Sequence, residues 1–544
     1  MFRAKLLVLL TVLLFAAVAF GSAYQGSPRL VVILIIDQFR GDYLERYHDE
    51  FGASGFRMFT DRGAYFPACY YNYANTRTAP GHATLGTGTY STGHGIFSNE
   101  WWNPAHKAVV SSVDDDSTKL VGADVEGAGS SPHNLLADTL GDELRLATQG
   151  NSRVYGIALK DRAAILTTGF SANAAFWIDH TSGAWVTSTY YMQAAPHWVT
   201  AFNDPNRAKK YLNLDWKDNS GELMGSTAPR DGTDGKPVDY YDLVGATPYA
   251  NDYEFEFARE LIEQEKLGQG TATDLLVISL SANDILGHQV GPDSPQMHAM
   301  ALALDHQIGD FLGFLARQFG LAQVWVALSA DHGIAPLTET VTRLHIPGDV
   351  VSNSDVRKEL SKAVATRLNK SGEYIRTVSF PIVFLDDDAF PPKYSEAEAE
   401  SFVAAAMNGA GFRSVLTKHQ LAEGEVPPTP FGRMFANSYS PYGGWWVMGL
   451  PPPYTLARKS GTDHGVAYSY DQHVPLAFYG TPFKPGVYRE QVEPIDLAPT
   501  LAVLLGINKP TSATGRVLTE ALVPSAPPVA APPARSRPPQ EPRP

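Results

Sequence analysis

The sequence predicts an α/β protein with a mostly parallel central sheet, flanked by helices and interrupted by inserted cap or lobe segments. Two observations predict this fold class. Short apolar runs rich in β-branched residues alternate with helical patterns along the chain, which is typical of buried parallel strands joined by crossover helices. Several of these runs end in acidic, basic or histidine side chains, at the position where open α/β sheets carry their functional groups.

The predicted core strands supply chemically capable residues at their carboxyl ends. Strands are expected over residues 30–36, 153–159, 274–280, 323–330 and 473–479. The groups that follow the first four are Asp37, then Lys160 and Arg162, then Asp284 and His288, and then Asp331 and His332. A single strand that ends in an acid is commonplace. Several in one chain favour one shared site at one edge of one sheet.

A second feature is the stretch at residues 76–88, which contains Thr78 and Pro80. Pro suits the first turn of a helix, where its missing N–H would be unpaired in any case. Thr78 is then expected at a helix N-terminus, where free N–H groups and the helix dipole favour anions such as phosphate. Thr78 is therefore a candidate nucleophile; the alternative is a Thr that only caps the helix.

The chain also has the donors of a metal site. The candidate ligands are Asp37, Asp284, His288, Asp331, His332 and His464. Mixed Asp and His donors suit borderline divalent ions, zinc first. Six ligands are too many for one tetrahedral zinc but fit two ions that also bind Thr78. Two ions about 4 Å apart can clamp the attacking and leaving oxygens of a displacement, and coordination activates a hydroxyl nucleophile.

Composition and the termini restrict partners and location. The 544 residues carry a net charge of −14 and no basic stripe, so no nucleic-acid partner is expected. Residues 1–23 have the basic start, apolar run and small residues of a signal peptide. An uncleaved anchor is the alternative, but the run is short for a membrane span, and no stable membrane anchor is expected. Cys69 is the one cysteine, which suits a periplasmic or secreted protein without disulfides.

The rest of the chain divides into one catalytic domain and a tail. Residues 24–523 are predicted to form the domain, with insertions near 163–250 and 337–455 that break the α/β rhythm. Residues 524–544 are dominated by Pro, Ala and Arg and predict a disordered tail.

These motifs resemble the alkaline phosphatase superfamily, in its nucleotide pyrophosphatase/phosphodiesterase branch. That branch has a strand-ending Asp, a Thr-x-Pro nucleophile, Asp-x3-His, Asp-His-Gly and a late Gly-x-x-His, in the order found here. The resemblance implies an alkaline phosphatase-like fold and two zinc ions per chain. It assigns one zinc to Asp284, His288 and His464, and the other to Asp37, Thr78, Asp331 and His332.

Three further residues place the chain within the branch. Lys160 and Arg162 match the Lys-x-Arg pair of the calcium-independent, PafA-type alkaline phosphatases, and Asn99 matches a phosphoryl-binding Asn. In those enzymes the Lys and Arg bind the two phosphoryl oxygens that a monoester leaves free, whereas the Asn helps to bind a phosphoryl oxygen throughout the branch. The resemblance therefore implies an alkaline phosphatase that hydrolyses small phosphate monoesters through a Thr78 phospho-enzyme and releases inorganic phosphate.

The sequence leaves two other functions open. A phosphodiesterase or nucleotide pyrophosphatase with the same fold and metals would need the Lys160–Arg162 match to be accidental. A secreted metal- or phosphate-binding protein that has lost catalysis would leave unexplained why the complete set of ligands occurs together with Thr78. The sequence does not fix the leaving group or the oligomeric state, for which a monomer is slightly favoured.

Overall fold

A computed structural model describes residues 27–523, except 126, 233–234 and 459. The predicted signal peptide at 1–23 and the predicted tail at 524–544 lie outside the described residues. Among the described helices, none combines the length and apolar character needed to cross a bilayer.

The strands of the described residues are numbered in chain order. They are β1 Leu30–Ile36, β2 Ala64–Tyr70, β3 Glu100–Asn103, β4 Ala108–Ser111, β5 Asp114–Val121, β6 Ala128–Ser130, β7 Val154–Ala158, β8 Ala174–Ile178, β9 Trp185–Ser188, β10 Asp215–Lys217, β11 Leu223–Ser226, β12 Asp274–Leu280, β13 Val324–Ser329, β14 Asp349–Val350, β15 Ile375–Ser379, β16 Ile382–Leu385, β17 Arg413–Thr417, β18 Trp446–Leu450, β19 Thr455–Leu456, β20 His473–Tyr479 and β21 Gly486–Val487.

The described helices fall between these strands and after the last of them. The α-helices are Tyr43–Arg46, Arg57–Thr60, Thr78–Thr87, Ser91–His94, Leu140–Ala147, Asp161–Thr168, His197–Phe202, Pro205–Lys209, Tyr240–Gly245, Pro248–Gln264, Ala282–Val290, Pro295–Phe319, Thr338–Arg343, Asn353–Leu368, Glu396–Gly409, Lys418–Glu423, Pro430–Asn437, Ser469–Gln472 and Leu497–Leu505. Short 3-10 helices are His48–Glu50, Leu321–Gln323, Asp387–Ala389, Pro494–Asp496 and Thr519–Ala521.

The central sheet has eleven strands in the order β21-β2-β20-β13-β1-β12-β7-β8-β9-β5-β6. The run from β13 to β8 is parallel, whereas β20 and the strands beyond β8 pair antiparallel with their neighbours. Every residue of β1, β12 and β13 is buried, as expected for strands covered on both faces. The predicted α/β fold is confirmed, and the sheet is mixed, with its parallel strands at the centre.

The two segments predicted as insertions differ in structure. Within 163–250, β8 and β9 extend the central sheet itself. Within 337–455, four strands form a separate antiparallel sheet in the order β15-β16-β18-β17. This lobe sheet shares a hydrophobic cluster with residues of the Thr78–Thr87 and Asp161–Thr168 helices. The lobe therefore packs on the part of the core that carries Thr78.

Candidate active site

The candidate site lies at the carboxyl ends of four adjacent parallel strands. β13, β1, β12 and β7 are neighbours in the sheet, and their chains continue into Asp331, Asp37, Asp284 and Lys160. In the observed register Ile36 of β1 pairs with Leu280 of β12, and Ile35 pairs with Ser329 of β13, so these strands end at nearly the same level. The three carboxylates and the ammonium therefore meet at one edge of the sheet, as the sequence predicted for such strand ends.

Three histidines at this edge present the same ring nitrogen to the cluster. Nδ1 of His288 lies 2.9 Å from the Thr462 carbonyl, and Nδ1 of His464 lies 2.7 Å from the Thr76 carbonyl. Nδ1 of His332 lies 2.9 Å from the carbonyl of the next residue. A carbonyl only accepts, so each Nδ1 carries the proton and each Nε2 keeps its lone pair for a metal ion.

Each Nε2 faces a carboxylate of the cluster. The Nε2 of His288 is 3.2 Å and that of His464 is 3.9 Å from Oδ1 of Asp284. The Nε2 of His332 is 3.5 Å from Oδ1 of Asp37. The rings of His332 and His464 stack with centroids 3.6 Å apart, so the two halves of the cluster touch.

The cluster has more carboxylates than cationic side chains. The Lys160 ammonium donates to Oδ2 of Asp37 at 2.6 Å and to Oδ2 of Asp284 at 2.5 Å. Burial opposes the charge of Lys160, but these carboxylates outweigh it and raise the lysine pKa. The pKa of Asp37 is raised well above its ordinary range by burial and by the neighbouring Asp284 and Asp331. One ammonium beside three carboxylates thus leaves negative charge that further cations would neutralise.

Unpaired buried atoms point to the same conclusion. Oδ1 of Asp37, Oδ2 of Asp331 and Nε2 of His332 are buried and lack a hydrogen-bond partner among the described residues. Burial lowers the pKa of both His332 and His464, which keeps their rings neutral, as metal ligation requires. Buried polar atoms without a partner are rare in native proteins unless an ion or water pairs with them. The donors present therefore fit divalent metal ions.

Three overlapping groups of donors could each hold an ion. Within each group the ligand atoms lie within 4.8 Å of one another. The groups are Asp284, His332 and His464; His288, Asp463 and His464; and Asp37, Asp331 and His332. Every predicted Asp and His ligand is present in this set. The groups do not fall into two separate ligand sets, because His332 and His464 each belong to more than one group.

Thr78 lies beside this cluster at the start of the Thr78–Thr87 helix. The residue before it has extended backbone, so the helix begins at Thr78, and Thr78 is 1% exposed. Oδ1 of Asn99 accepts a hydrogen bond of 2.8 Å from the backbone N–H of Ala79. Asn99 is thus held against the first turn of this helix, next to Thr78, where backbone N–H groups favour anions.

Arg162 lies at the start of the helix that follows β7. Its side chain is 24% exposed, and its nearest acidic partner is Asp161 at 3.7 Å. Its Nε atom is buried and lacks a partner among the described residues. Lys160, two residues earlier, donates to Asp37 and Asp284, so the two cations differ in their surroundings: Lys160 is paired with two carboxylates, whereas the buried Nε of Arg162 has no described partner.

The structure adds three residues that the sequence did not assign to the site. Gln38 is fully buried and donates to both Asp331 and Asp284. Nδ1 of His82 lies 3.3 Å from Oδ2 of Asp331. Asp463 belongs to one of the donor groups. The signal for Gln38 was its place directly after Asp37 at a strand end; the other two adjoin named motifs.

Known proteins of similar sequence and structure indicate the family of this chain. The family model for type I phosphodiesterase/nucleotide pyrophosphatase matches residues 31–406. The chain belongs to this family. The matched range includes five of the six predicted metal ligands and the Thr78 helix, whereas His464 lies beyond it.

Individual relatives agree with this membership. The chain is 33% identical to a protein named calcium-transporting ATPase from Myroides odoratus, over 93% of this chain and 97% of that protein. It is 32% identical to alkaline phosphatase PhoV from Synechococcus elongatus, over 91% and 93%. The crystal structure of wild-type alkaline phosphatase PafA matches with a TM-score of 0.83 at 30% identity, over 91% of this chain and 99% of that one. The family is thus as predicted, and the chain is an alkaline phosphatase-like hydrolase.

Proposed function

We propose that this member of the family is a zinc-dependent phosphate monoester hydrolase that acts through a phosphorylated Thr78. The observation that carries the proposal is the set of three Nε2 atoms and three buried carboxylates at one sheet edge. The N-terminus of the Thr78–Thr87 helix lies beside this set. A hydroxyl nucleophile, an anion-binding helix end and a metal-binding cluster together favour phosphoryl transfer.

Two zinc ions per chain would be held by the predicted ligands. Asp284, His288 and His464 would hold one, and Asp37, Thr78, Asp331 and His332 the other, as in the superfamily. His332 also lies close enough to Asp284 and His464 to belong to their group. When bound, such a pair neutralises phosphoryl charge, lowers the pKa of a coordinated hydroxyl and orients the reacting oxygens.

The protein residues would carry out two displacements. In the first, the Oγ1–P bond to Thr78 forms while the bond from phosphorus to the ester oxygen breaks, and the alcohol leaves. In the second, water attacks the same phosphorus, the Oγ1–P bond breaks, and inorganic phosphate leaves. Asn99, held beside Thr78 by its bond to Ala79, would donate its amide N–H groups to a phosphoryl oxygen. Such preorganised donors stabilise charge as it develops in the transition state.

Lys160 and Arg162 would select monoesters. A monoester dianion has more charge on its nonbridging oxygens than a diester, and two fixed cations match that charge. Arg162 has a buried Nε atom without a described partner, and guanidinium groups bind two oxygens at once, whereas an ammonium acts as a point charge. A diester would place an organic group where these side chains bind oxygen.

The first experiment measures kcat/KM of the zinc-loaded protein for an aryl phosphate monoester and for the matching bis-aryl diester. We expect a large preference for the monoester. Thr78→Ala should abolish turnover of both substrates, because it removes the attacking oxygen. The matched control is Thr366→Ala, which changes an exposed Thr on a lobe helix. Full activity in Thr78→Ala would overturn the nucleophile assignment.

A phosphodiesterase or nucleotide pyrophosphatase is the second candidate. It is favoured by the description of the matching family and by Lys160, whose ammonium is engaged by Asp37 and Asp284. If Lys160 stayed on those carboxylates during turnover, one of the two monoester-selective cations would be missing. A preference for the bis-aryl diester in the same assay would favour this function.

We also propose that the protein is exported to the periplasm or beyond. The support is the sequence pattern of residues 1–23 alone. Fractionation of the expressing cells and N-terminal sequencing of the mature protein test it. A protein retained in the cytoplasm with Met1 intact would contradict it.

A further inference from the structure

Gln38 is in contact with one predicted ligand of each metal ion. Its backbone N–H donates to Oδ1 of Asp331 at 3.0 Å, and its side-chain Nε2 donates to Oδ1 of Asp284 at 2.6 Å. Asp331 follows β13 and Asp284 follows β12, on opposite sides of β1 in the sheet. Gln38 is 0% exposed, so water does not compete for either hydrogen bond.

The backbone of Gln38 is what allows one residue to reach both sides. Its φ is +64°, in the left-handed region of backbone conformation that residues other than Gly, Asn and Asp rarely adopt. Backbone in this region clusters at functional sites, where the surrounding structure holds it in place. The turn after Asp37 thus directs the N–H of Gln38 to one carboxylate and its side chain to the other.

The neighbouring helix leaves room for this side chain at one glycine. A Cβ added at Gly287 would lie 2.1 Å from Oε1 of Gln38, much closer than two such atoms can approach. Gly287 belongs to the Ala282–Val290 helix, between the predicted ligands Asp284 and His288. The carboxylate only accepts hydrogen bonds, so the amide nitrogen must face Asp284 and the amide oxygen must face Gly287.

We infer that Gln38 is a positioning residue that orients Asp284 and Asp331 for the two metal ions. Because Gly287 has no side chain, it leaves the space that the Gln38 amide requires. The inference rests on the proposed function, because it presupposes that these carboxylates bind metal. Oδ1 of Asp284 is the oxygen that also faces Nε2 of His288 and of His464. Gln38 therefore fixes the oxygen on the metal side of that carboxylate. Groups that orient metal ligands in this way affect metal affinity by about 10–100-fold when they are removed.

The test measures zinc affinity directly, by competition with a chromophoric chelator, and zinc content after dialysis. Gln38→Met keeps the length of the side chain and the backbone N–H but removes the amide donor. We expect zinc affinity to fall about 10–100-fold, while saturating zinc restores most of the activity because Thr78, Lys160 and Arg162 are unchanged. Gln318→Met, which changes an exposed helical Gln, should bind zinc as the unmodified protein does.

Gly287→Ala supplies an independent test. Its Cβ should displace the Gln38 amide and weaken zinc binding, although the change touches no predicted ligand. In the Gln38→Gly background there is no side chain left to displace, so adding Gly287→Ala should change the affinity by less than about twofold. Such non-additivity identifies residues that act through one another.

The outcomes separate the two proposals. If the unmodified protein binds no zinc, the metal assignment itself fails. If it binds zinc and a folded Gln38→Met variant binds zinc equally well, the positioning role of Gln38 is wrong while the proposed function stands. Equal effects of Gly287→Ala in both backgrounds would show that Gly287 acts on the helix and not through Gln38.

Discussion

At the scale of single residues, backbone carbonyls orient the three histidines of the site. His288, His332 and His464 each have Nδ1 bound to a carbonyl in a loop. These contacts select the tautomer whose Nε2 is free, before any ion binds. A loop that moved would change the tautomer and the direction of the ring together. The residues that contact the histidines therefore act through the positions of their backbone carbonyls, and the types of their side chains have little effect on the histidine tautomers.

Lys160 and Arg162 are expected to determine the preference for monoesters. In the double variant Lys160→Ala, Arg162→Ala, kcat/KM for the aryl monoester should fall by at least about 10²-fold, since each lost donor to a charged transition state costs about that much. Diester turnover should fall far less, because a diester lacks the second charged oxygen. Steady-state kinetics of both substrates check this.

The control for this variant keeps the charge change but moves it away from the site. Arg343→Ala with Lys362→Ala removes one Arg and one Lys that are exposed on lobe helices. Neither substrate should be affected. An unchanged ratio of monoester to diester turnover in the Lys160 and Arg162 variant would refute their role in selectivity.

At the scale of elements, the Thr78–Thr87 helix packs closely against the loop that follows β13 and carries Asp331. A Cβ at Gly81 would lie 2.3 Å from the carbonyl oxygen of Asp331 and 2.7 Å from its Cβ. Gly81→Ala should therefore push the Thr78–Thr87 helix away from the ligand-bearing loop. We expect a loss of about 1–3 kcal/mol in the free energy of unfolding and a larger loss in kcat, measured by denaturant titration and by kinetics.

Gly409→Ala is the matched control for Gly81. Gly409 is also helical, as the last residue of the Glu396–Gly409 helix, but a Cβ there would meet nothing within 4 Å. Since Ala is the better helix former, this variant should be at least as stable as the unmodified protein and fully active. If the two variants behaved alike, the close packing at Gly81 would have no functional consequence.

The stability of the lobe should depend on pH through one buried carboxyl group, that of Glu400. Glu400 is 0% exposed on the Glu396–Gly409 helix and accepts a hydrogen bond from the His419 N–H. Burial raises its pKa from 4.5 to about 7, with Glu396 adding to the shift and Lys418 opposing it. The folded state thus holds this proton more tightly than the unfolded state, so stability falls as pH rises from about 4.5 to about 7.

Glu400→Gln should remove this dependence. The variant keeps an acceptor for His419 and cannot ionise, so it should gain up to roughly 3 kcal/mol over the unmodified protein at pH 8 and little at pH 4. Chemical denaturation at both pH values measures the difference, and subtraction cancels the other titrating groups. A constant difference across this range would contradict the assignment.

The elements that sequence could predict are those whose pattern is local. β1, β12 and β20 begin and end at the predicted residues, and β7 and β13 lie within their predicted strands, because buried β-branched runs stop at polar residues. β8 and β9 were not predicted, since short strands in a Gly-rich stretch are specified by their partners in the sheet. Gln38 was missed for a related reason: its contacts depend on a left-handed turn and on two carboxylates, Asp284 and Asp331, that are distant in the sequence.

At the scale of the whole molecule, the site joins the core to the lobe. The hydrophobic cluster that joins core and lobe includes Ala79 and Ala83 of the Thr78–Thr87 helix together with residues of lobe strands β16 and β18. Arg77, directly before Thr78, donates to the carbonyl of Phe380 in the lobe at 2.7 Å. The N-terminus of the Thr78–Thr87 helix is therefore held by both core and lobe, and a change that stabilises the site should stabilise the association of core and lobe.

Metal removal tests this coupling. Ions that bind only the folded state stabilise it by about 2.7 kcal/mol per site at a free concentration of 100 Kd. The free energy of unfolding should therefore rise with the logarithm of free zinc and fall on chelation. The carboxylates of Asp37, Asp284 and Asp331 follow three different strands of the core, Asp284 in the first turn of the Ala282–Val290 helix, so their repulsion without metal should loosen the contacts around Thr78 as well. We expect chelation to increase hydrogen exchange in both the Thr78–Thr87 helix and the lobe segment that contacts Arg77. An increase confined to the metal-ligand loops would show that core and lobe unfold independently of the metal site.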